Sequence, residues 1–219
     1  MKIACFIPIK SISERIPGKN FRILCGKPLY QYIITNAIAS KCFDDIYVDT
    51  NSEEVKAFCE EVGVKYIERK AELAENTANG NDLLSHHYDL FPNYDYYFQL
   101  FATAPFLQPK TISDVVNVLV NSSVYDSAFL ALKNNGFFWY AEQPVNYRPS
   151  ILPRSQDMEP VYEETTGLYG ISNSSLKKYR CRIGANPYIH PVSKFEAVDI
   201  NTEEDLKLAE YIGKSHWNL

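Results

Sequence analysis

The sequence has no CxxC pair and no Cys/His spacing of the kind that holds a structural metal. Its five cysteines, Cys5, Cys25, Cys42, Cys59 and Cys181, are scattered and odd in number. That argues against a disulfide framework and for reduced thiols in a cytoplasmic protein, with Cys5 and Cys59 expected in the core. No apolar run approaches the ~18 residues of a membrane span. The opening MKIACFIPIK lacks a cleavage region, so it reads as a first strand rather than a signal peptide. Positive charge is not in excess: 22 Lys and Arg face 27 Asp and Glu, a net charge of −5. A basic face for nucleic acid is therefore not expected, although that balance is compatible with a local pocket for a small anion. There is no internal repeat, no low-complexity segment and no Ser–His–Asp arrangement. His86 and His87 fall mid-helix and His216 near the tail, and they read as structural or exposed.

What is present is a rhythm. The chain has 219 residues, 46% of them hydrophobic, which suits one α/β domain over 1–219 with an extensive core. Lys2 to Ile9 is a short apolar run suited to a buried parallel strand. A helix is expected from Pro28 to about Ser40, with Leu29, Tyr32, Ile33 and Ala37 facing inward. DDIYVDTNS then supplies a strand, SEEVKAFCEEVG a helix capped by Ser52 and ended by Gly63, and VKYIER another strand. NGNDLLSHHYDLF reads as a helix, YDYYFQLFATAPF as a strand running into a loop, and KTISDVVNVLVNS as a helix. Alternation of this kind predicts right-handed βαβ units and a doubly wound, mostly parallel sheet. From Tyr125 the texture becomes aromatic, with turn signals at Asn134–Gly136 and Gln143–Pro144 and an irregular stretch beyond. Residues 125–170 are read as an inserted β-hairpin region. Its Phe137, Phe138, Trp139 and Tyr140 either form a dimerisation arm or pack on their own domain. FEAVDINTEEDLKLAEYIG returns to strand, loop and helix.

The loop after the first strand collects Lys10, Arg15, Lys19 and Arg22 in this acidic chain. It is not a Walker A loop: Gly18-Lys19 is followed by Asn20, and no glycine stands five residues before Gly18. In open α/β sheets ligands sit beyond the carboxyl ends of the strands, which is where this loop falls. Pro17 and Gly18 favour a fixed turn, and Lys10, Arg15 and Lys19 suit a triphosphate tail. On charge alone, a solvated basic loop is an equal reading.

The run IPIKSISERIPGKNFRILCGKPL resembles the first motif of the sugar-activating cytidylyltransferases typified by acylneuraminate cytidylyltransferase. Pro8, Ser13, Ile16 to Asn20, Arg22 and Gly26 to Leu29 match, and Lys10 stands where that family usually has arginine. The resemblance covers nearly the whole chain and implies a Rossmann-like nucleotidyltransferase. It implies that the loop binds the phosphates of CTP and that Lys19 assists attack on the α-phosphate, with Arg15 beside it. In VDTNSEEV…IERKAELAENTANGND, Arg69 matches an arginine near the nucleotide. Ala78 and Asn79 match a stretch that reads cytosine, for which backbone groups from Ala78 to Gly80 and the Asn79 amide supply the donors and acceptor, and Asn79 is equally suited to cap the next helix.

FATAPF occupies an acceptor-side motif in which Thr103 and Pro105 match, but Phe101 replaces a glutamine. In LPRSQDMEPVYEETTGLYGIS, Arg154, Gln156, Asp157, Glu164 and Tyr169 match, and Thr165-Thr166 stands in place of Asn-Gly. His190 falls near that acceptor side. AVDINTEEDLKLAE aligns Asp199 with a metal-binding aspartate and Asn201 with a second one. The alternative for Asp199 is a strand-end aspartate capping the following helix. The implied activity joins CTP to an acidic 2-keto sugar of the sialic, legionaminic or pseudaminic type, with Mg²⁺ or Mn²⁺ as cofactor, in a cytoplasmic homodimer. A CTP:Kdo cytidylyltransferase and a non-catalytic nucleotide-binding homologue are the alternatives.

Overall fold

The computed structural model describes residues 1–13, 16–74 and 78–217. Its centre is a seven-stranded sheet in the order β11-β7-β10-β6-β1-β4-β5. These strands are Pro187–Val192 (β11), Ser127–Asn134 (β7), Val161–Ser172 (β10), Tyr96–Leu100 (β6), Ile3–Ile9 (β1), Asp45–Thr50 (β4) and Lys65–Glu68 (β5). β10 runs antiparallel to both of its neighbours, and the other pairings are parallel. Strand alternation sorts β1 between two layers. Ile3, Cys5, Ile7 and Ile9 pack with residues of α1 (Leu29–Ser40), α2 (Glu53–Val62) and α5 (Pro109–Asn121). Ala4 and Phe6 pack on the opposite face with Leu84 and Tyr88 of α4 (Gly80–Leu90) and Leu176 of α6 (Asn173–Tyr179). Both layers are covered, as the doubly wound reading expected, and Cys5 and Cys59 are fully buried.

The caps follow from sequence. Ser52 accepts from the Val55 amide at 3.4 Å to start α2, which ends at Gly63. Asn79 and Asp82 form a reciprocal capping box on α4, and Thr202 and Asp205 form another on α7 (Glu203–Ile212). The short strands β2 (Ile23–Leu24) and β3 (Lys27–Pro28) make a small hairpin before α1, so Pro28 is the residue preceding the helix rather than its first. Leu24, Leu29 and Tyr32 pack there with Leu206, Ala209 and Ile212 of α7. The single turn α3 (Ala71–Ala74) follows β5.

Two regions differ from expectation. Within 125–170, β7 and β10 are strands of the central sheet, so the excursion from it is confined to the stretch between them. The hairpin in that stretch pairs β8 (Trp139–Tyr140) with β9 (Gln143–Pro144) and turns at Ala141 and Glu142, whose φ values of 46° and 63° are left-handed. Gln143–Pro144 is therefore a strand and not the turn. β10 looked irregular because Gly167 and Gly170 read as breaks, and because its polar start, Tyr162 to Glu164, is solvent-exposed and pairs only with β7. The FEAVD segment is not a strand: the amides of Ala197 and Val198 turn back onto the carbonyls of Ser193 and Phe195. The last strand is β11, which precedes it.

Candidate active site

β1, β4 and β6 lie side by side; the chain passes from β1 to β4 and β5 on one side and then crosses back to β6 on the other, so their carboxyl ends form a crevice. A cavity of about 160 Å³ opens there. Eight residues picked from sequence line it: Pro8, Lys10, Lys19, Asn20, Arg69, Ala78, Phe101 and Thr103. Gly18 adopts φ 62°, a left-handed turn that a side chain would strain, and it delivers Lys19 into a short 3-10 turn over Lys19–Phe21. Asn20 ties that turn to the strand end by donating from its amide to the Lys10 carbonyl at 3.0 Å. Lys19 is 9% exposed and donates to the Ile200 carbonyl at 2.9 Å and to Asn201 Oδ1 at 3.4 Å. Arg15 lies outside the described residues. Ser13 stands in the same loop without lining the cavity.

Beneath the cavity lies a charged cluster that the sequence reading did not assemble. Arg69 Nε donates to Asp49 Oδ1 at 2.9 Å, and its Nη2 donates to the Asp49 carbonyl at 3.0 Å. His87 Nε2 is 2.7 Å from Asp49 Oδ2, and its ring stacks on Phe6 at 4.5 Å. All three side chains are buried. Burial alone pushes the Asp49 carboxyl up; the His87 hydrogen bond and the Arg69 charge more than offset it, holding the group below the usual carboxylate range. Arg69 is thus locked in the wall of the cavity. The sequence signal was present: Leu83, Leu84, His87 and Tyr88 share the inward face of α4, and an aspartate inside the strand DIYVDT needs a partner.

A second cavity, of about 330 Å³, is lined by Glu164, Thr165, Thr166, Asp199, Asn201 and Asp205, among others. The carbonyl of Thr103 accepts from the Ile200 amide at 2.9 Å, which fastens the Asp199–Asn201 segment to the loop after β6. Asp199 is not the cap of α7, since Thr202 and Asp205 fill that role. Instead Asp199 Oδ2 accepts from the Asn201 amide, while its Oδ1 and Thr166 Oγ1 are buried and unpartnered among the described residues. The Asn201 orientation is fixed from both sides: its NH₂ faces a carboxylate and its oxygen faces Lys19, so a flipped amide would lose both bonds. Among the described residues no group of three or more His, Cys, Asp or Glu side chains is arranged to hold a metal. One unpartnered carboxylate oxygen fits a cation whose remaining ligands are substrate phosphates and water.

Tyr169 and Thr165 are buried beside this second cavity. Thr165 Oγ1 donates to the Leu130 carbonyl at 3.1 Å, and Tyr169 donates its hydroxyl to Glu164. Burial and that carboxylate push the Tyr169 phenol well above its usual range, so it remains a donor. Asn79 and Gly80 sit at the start of α4, where the Gly80 carbonyl accepts from Gln99 Nε2 at 3.1 Å. Arg154 and Gln156 are not brought to either cavity. They are exposed on the excursion, with Arg154 Nε bonded to Asp157 at 2.6 Å. Nor does His190 line either cavity. Arg182, which no motif flagged, lies with its guanidinium 3.8 Å from the centre of the Tyr169 ring.

The chain is similar in sequence and in fold to known cytidylyltransferases. An N-acylneuraminate cytidylyltransferase A of Danio rerio is 26% identical over 216 residues, covering 95% of this chain and 50% of the relative. A CMP-N,N'-diacetyllegionaminic acid synthase of Legionella pneumophila is 29% identical over 229 residues, covering 96% and 95%. The chain thus spans about half the length of the acylneuraminate relatives and nearly all of the legionaminic one. A CMP:2-keto-3-deoxy-manno-octonic acid synthetase solved with CTP superposes over 100% of both chains with a TM-score of 0.72 at 17% identity, a likeness of fold. The cytidylyltransferase profile matches residues 4–209, and the chain belongs to that family.

Proposed function

We propose that the protein joins CTP to the anomeric hydroxyl of an acidic 2-keto sugar, a nonulosonic acid of the sialic, legionaminic or pseudaminic type, releasing pyrophosphate. The observation that carries this reading is Lys19. It lines the first cavity and is bonded to the segment that walls the second. A cation held there neutralises a phosphate placed between a nucleotide on one side and an acceptor on the other. The acceptor oxygen attacks the α-phosphorus in line, the bond to the β-phosphate breaks, and the hydroxyl proton passes to solvent. Among the described residues no side chain there is arranged as a strong base, so the rate derives from positioning and from charge already in place. Lys10 adds positive charge along the triphosphate, and the motif match gives Arg15 the same role. The start of α4, with Ala78 to Gly80, offers backbone groups to the base.

Asp199 is the residue suited to hold Mg²⁺ or Mn²⁺, with Asn201 orienting its carboxylate. When bound, the ion supplies charge neutralisation on the triphosphate and a lowered pKa for the acceptor hydroxyl. The protein acts in the cytoplasm as a homodimer built through the aromatic excursion. Among the described residues no helix is long and apolar enough to cross a membrane.

The test is pyrophosphate release with CTP, Mg²⁺ and a panel containing sialic, legionaminic, pseudaminic and Kdo acceptors, with ATP, GTP and UTP as controls. Release with CTP and a nonulosonic acid is expected. Release with Kdo alone would replace the acceptor assignment. CTP binding without release from any acceptor would leave a nucleotide-binding homologue instead.

A further inference from the structure

We infer that Arg182 is the cation that receives the acceptor's carboxylate, a role that rests on the cytidylyl-transfer reading for its substrate but not for its geometry. A guanidinium carries five N–H donors. Among the described residues the only hydrogen bond of Arg182 is from its backbone amide, to Asn81 Oδ1 at 3.0 Å. The nearest carboxylate oxygen, Glu164 Oε1, is 3.6 Å from Nη2, beyond hydrogen-bond reach, and already accepts from Tyr169. The side chain is 23% exposed, and none of its nitrogens is among the sealed, unpartnered atoms. Its donors are therefore reachable from solvent, although the side chain lines neither cavity. The group also lies over Tyr169, 3.8 Å from that ring's centre and 5.9 Å from the Phe101 ring. A pre-ordered planar fork loses little freedom on gaining a carboxylate.

Its position chooses the ligand. Phe101 lines the first cavity and Glu164 lines the second, and the guanidinium lies 5.9 Å from the Phe101 ring and 3.6 Å from Glu164, next to a wall residue of each. Phe101 itself offers an acceptor no donor. The triphosphate has Lys10 and Lys19 in the lining of the nucleotide cavity, whereas Arg182 does not line that cavity. Gly80 makes the arrangement sterically possible: a Cβ there would lie 2.6 Å from Arg182 Nη1 and 3.3 Å from Gln99 Oε1.

The experiment compares wild-type protein, Arg182→Met and Arg182→Lys. Binding of N-acetylneuraminic, legionaminic and pseudaminic acids, and of their methyl esters, is measured by calorimetry on CMP-saturated protein. Pyrophosphate release is measured with CTP in parallel. Wild type is expected to prefer at least one acid over its ester by roughly ten- to a hundred-fold, the range of a charge-assisted pair. Arg182→Met should abolish that preference with the KM for CTP unchanged, and Arg182→Lys should restore part of it. Wild-type binding with no acid preferred over its ester, a preference surviving in Arg182→Met, or a raised KM for CTP overturns the inference. An Arg182-dependent acid preference without pyrophosphate release supports it while removing the cytidylyl-transfer reading. Release with an ester as readily as with its acid does the reverse.

Discussion

At the scale of single residues, the site divides between groups that face ligand and groups that hold them. Lys19 belongs to the first kind. Its ammonium is anchored by Ile200 and Asn201, which in the proposed reaction pre-places it for charge developing on the α-phosphate. Lys19→Ala is expected to lower kcat/KM for CTP by roughly a hundred-fold or more, read by pyrophosphate release. Asp49 belongs to the second kind. Asp49→Asn leaves the buried Arg69 charge uncompensated and is expected to cost about 3 kcal/mol or more of stability, read by urea unfolding at pH 7. The pH dependence follows from the direction of its shift. Because the folded carboxyl titrates below the unfolded value of about 4, its contribution is complete above that value. It is lost as pH falls through the lower folded value. The stability difference between wild type and Asp49→Asn should therefore shrink in acid.

At the scale of elements, the start of α4 is where fold and function meet. Gly80→Ala removes the entropic cost of a glycine and improves helix propensity, effects worth up to about 1 kcal/mol. The added methyl meets the far end of the Arg182 side chain, which can swing away at small energetic cost. The expected result is a melting temperature changed little in either direction, together with a raised KM for acceptor. A matching loss of stability would mean that the Gln99 contact, not Arg182, sets the outcome. The same element shows what sequence patterns reach. Asn79 was legible as a cap because capping is local, and the turn at Pro17 and Gly18 was legible because its motif is contiguous. Arg182 was not legible, since its partners Tyr169, Phe101 and Asn81 are distant in sequence and meet only through sheet order. β10 was missed for a related reason: its glycines and exposed acids look like a loop until β6 and β7 are placed on either side of it.

At the scale of the molecule, the predicted α/β alternation gives a sheet whose two cavities open near its middle, while the excursion between β7 and β10 stands apart from both. That excursion exposes Trp139 at 58%, Tyr140 at 80%, Ile151 at 67% and Leu152 at 72%. Apolar side chains grouped so densely on one protrusion are costly to leave in water and suit a contact between copies of the chain. Arg154 and Gln156, matched by motif to the acceptor side, lie on the same protrusion and not at the cavities of their own chain. Closure of a dimer through it would also change where those two side chains stand relative to a site. The double substitution Trp139→Asp with Tyr140→Asp touches no residue of either cavity, so the sheet and its cavities should be retained. Sedimentation velocity is expected to show a dimer for the parent chain and a monomer for the variant, with the far-ultraviolet circular dichroism of the two superimposable. An unchanged dimer would place the contact elsewhere and assign these aromatics to packing within their own protomer.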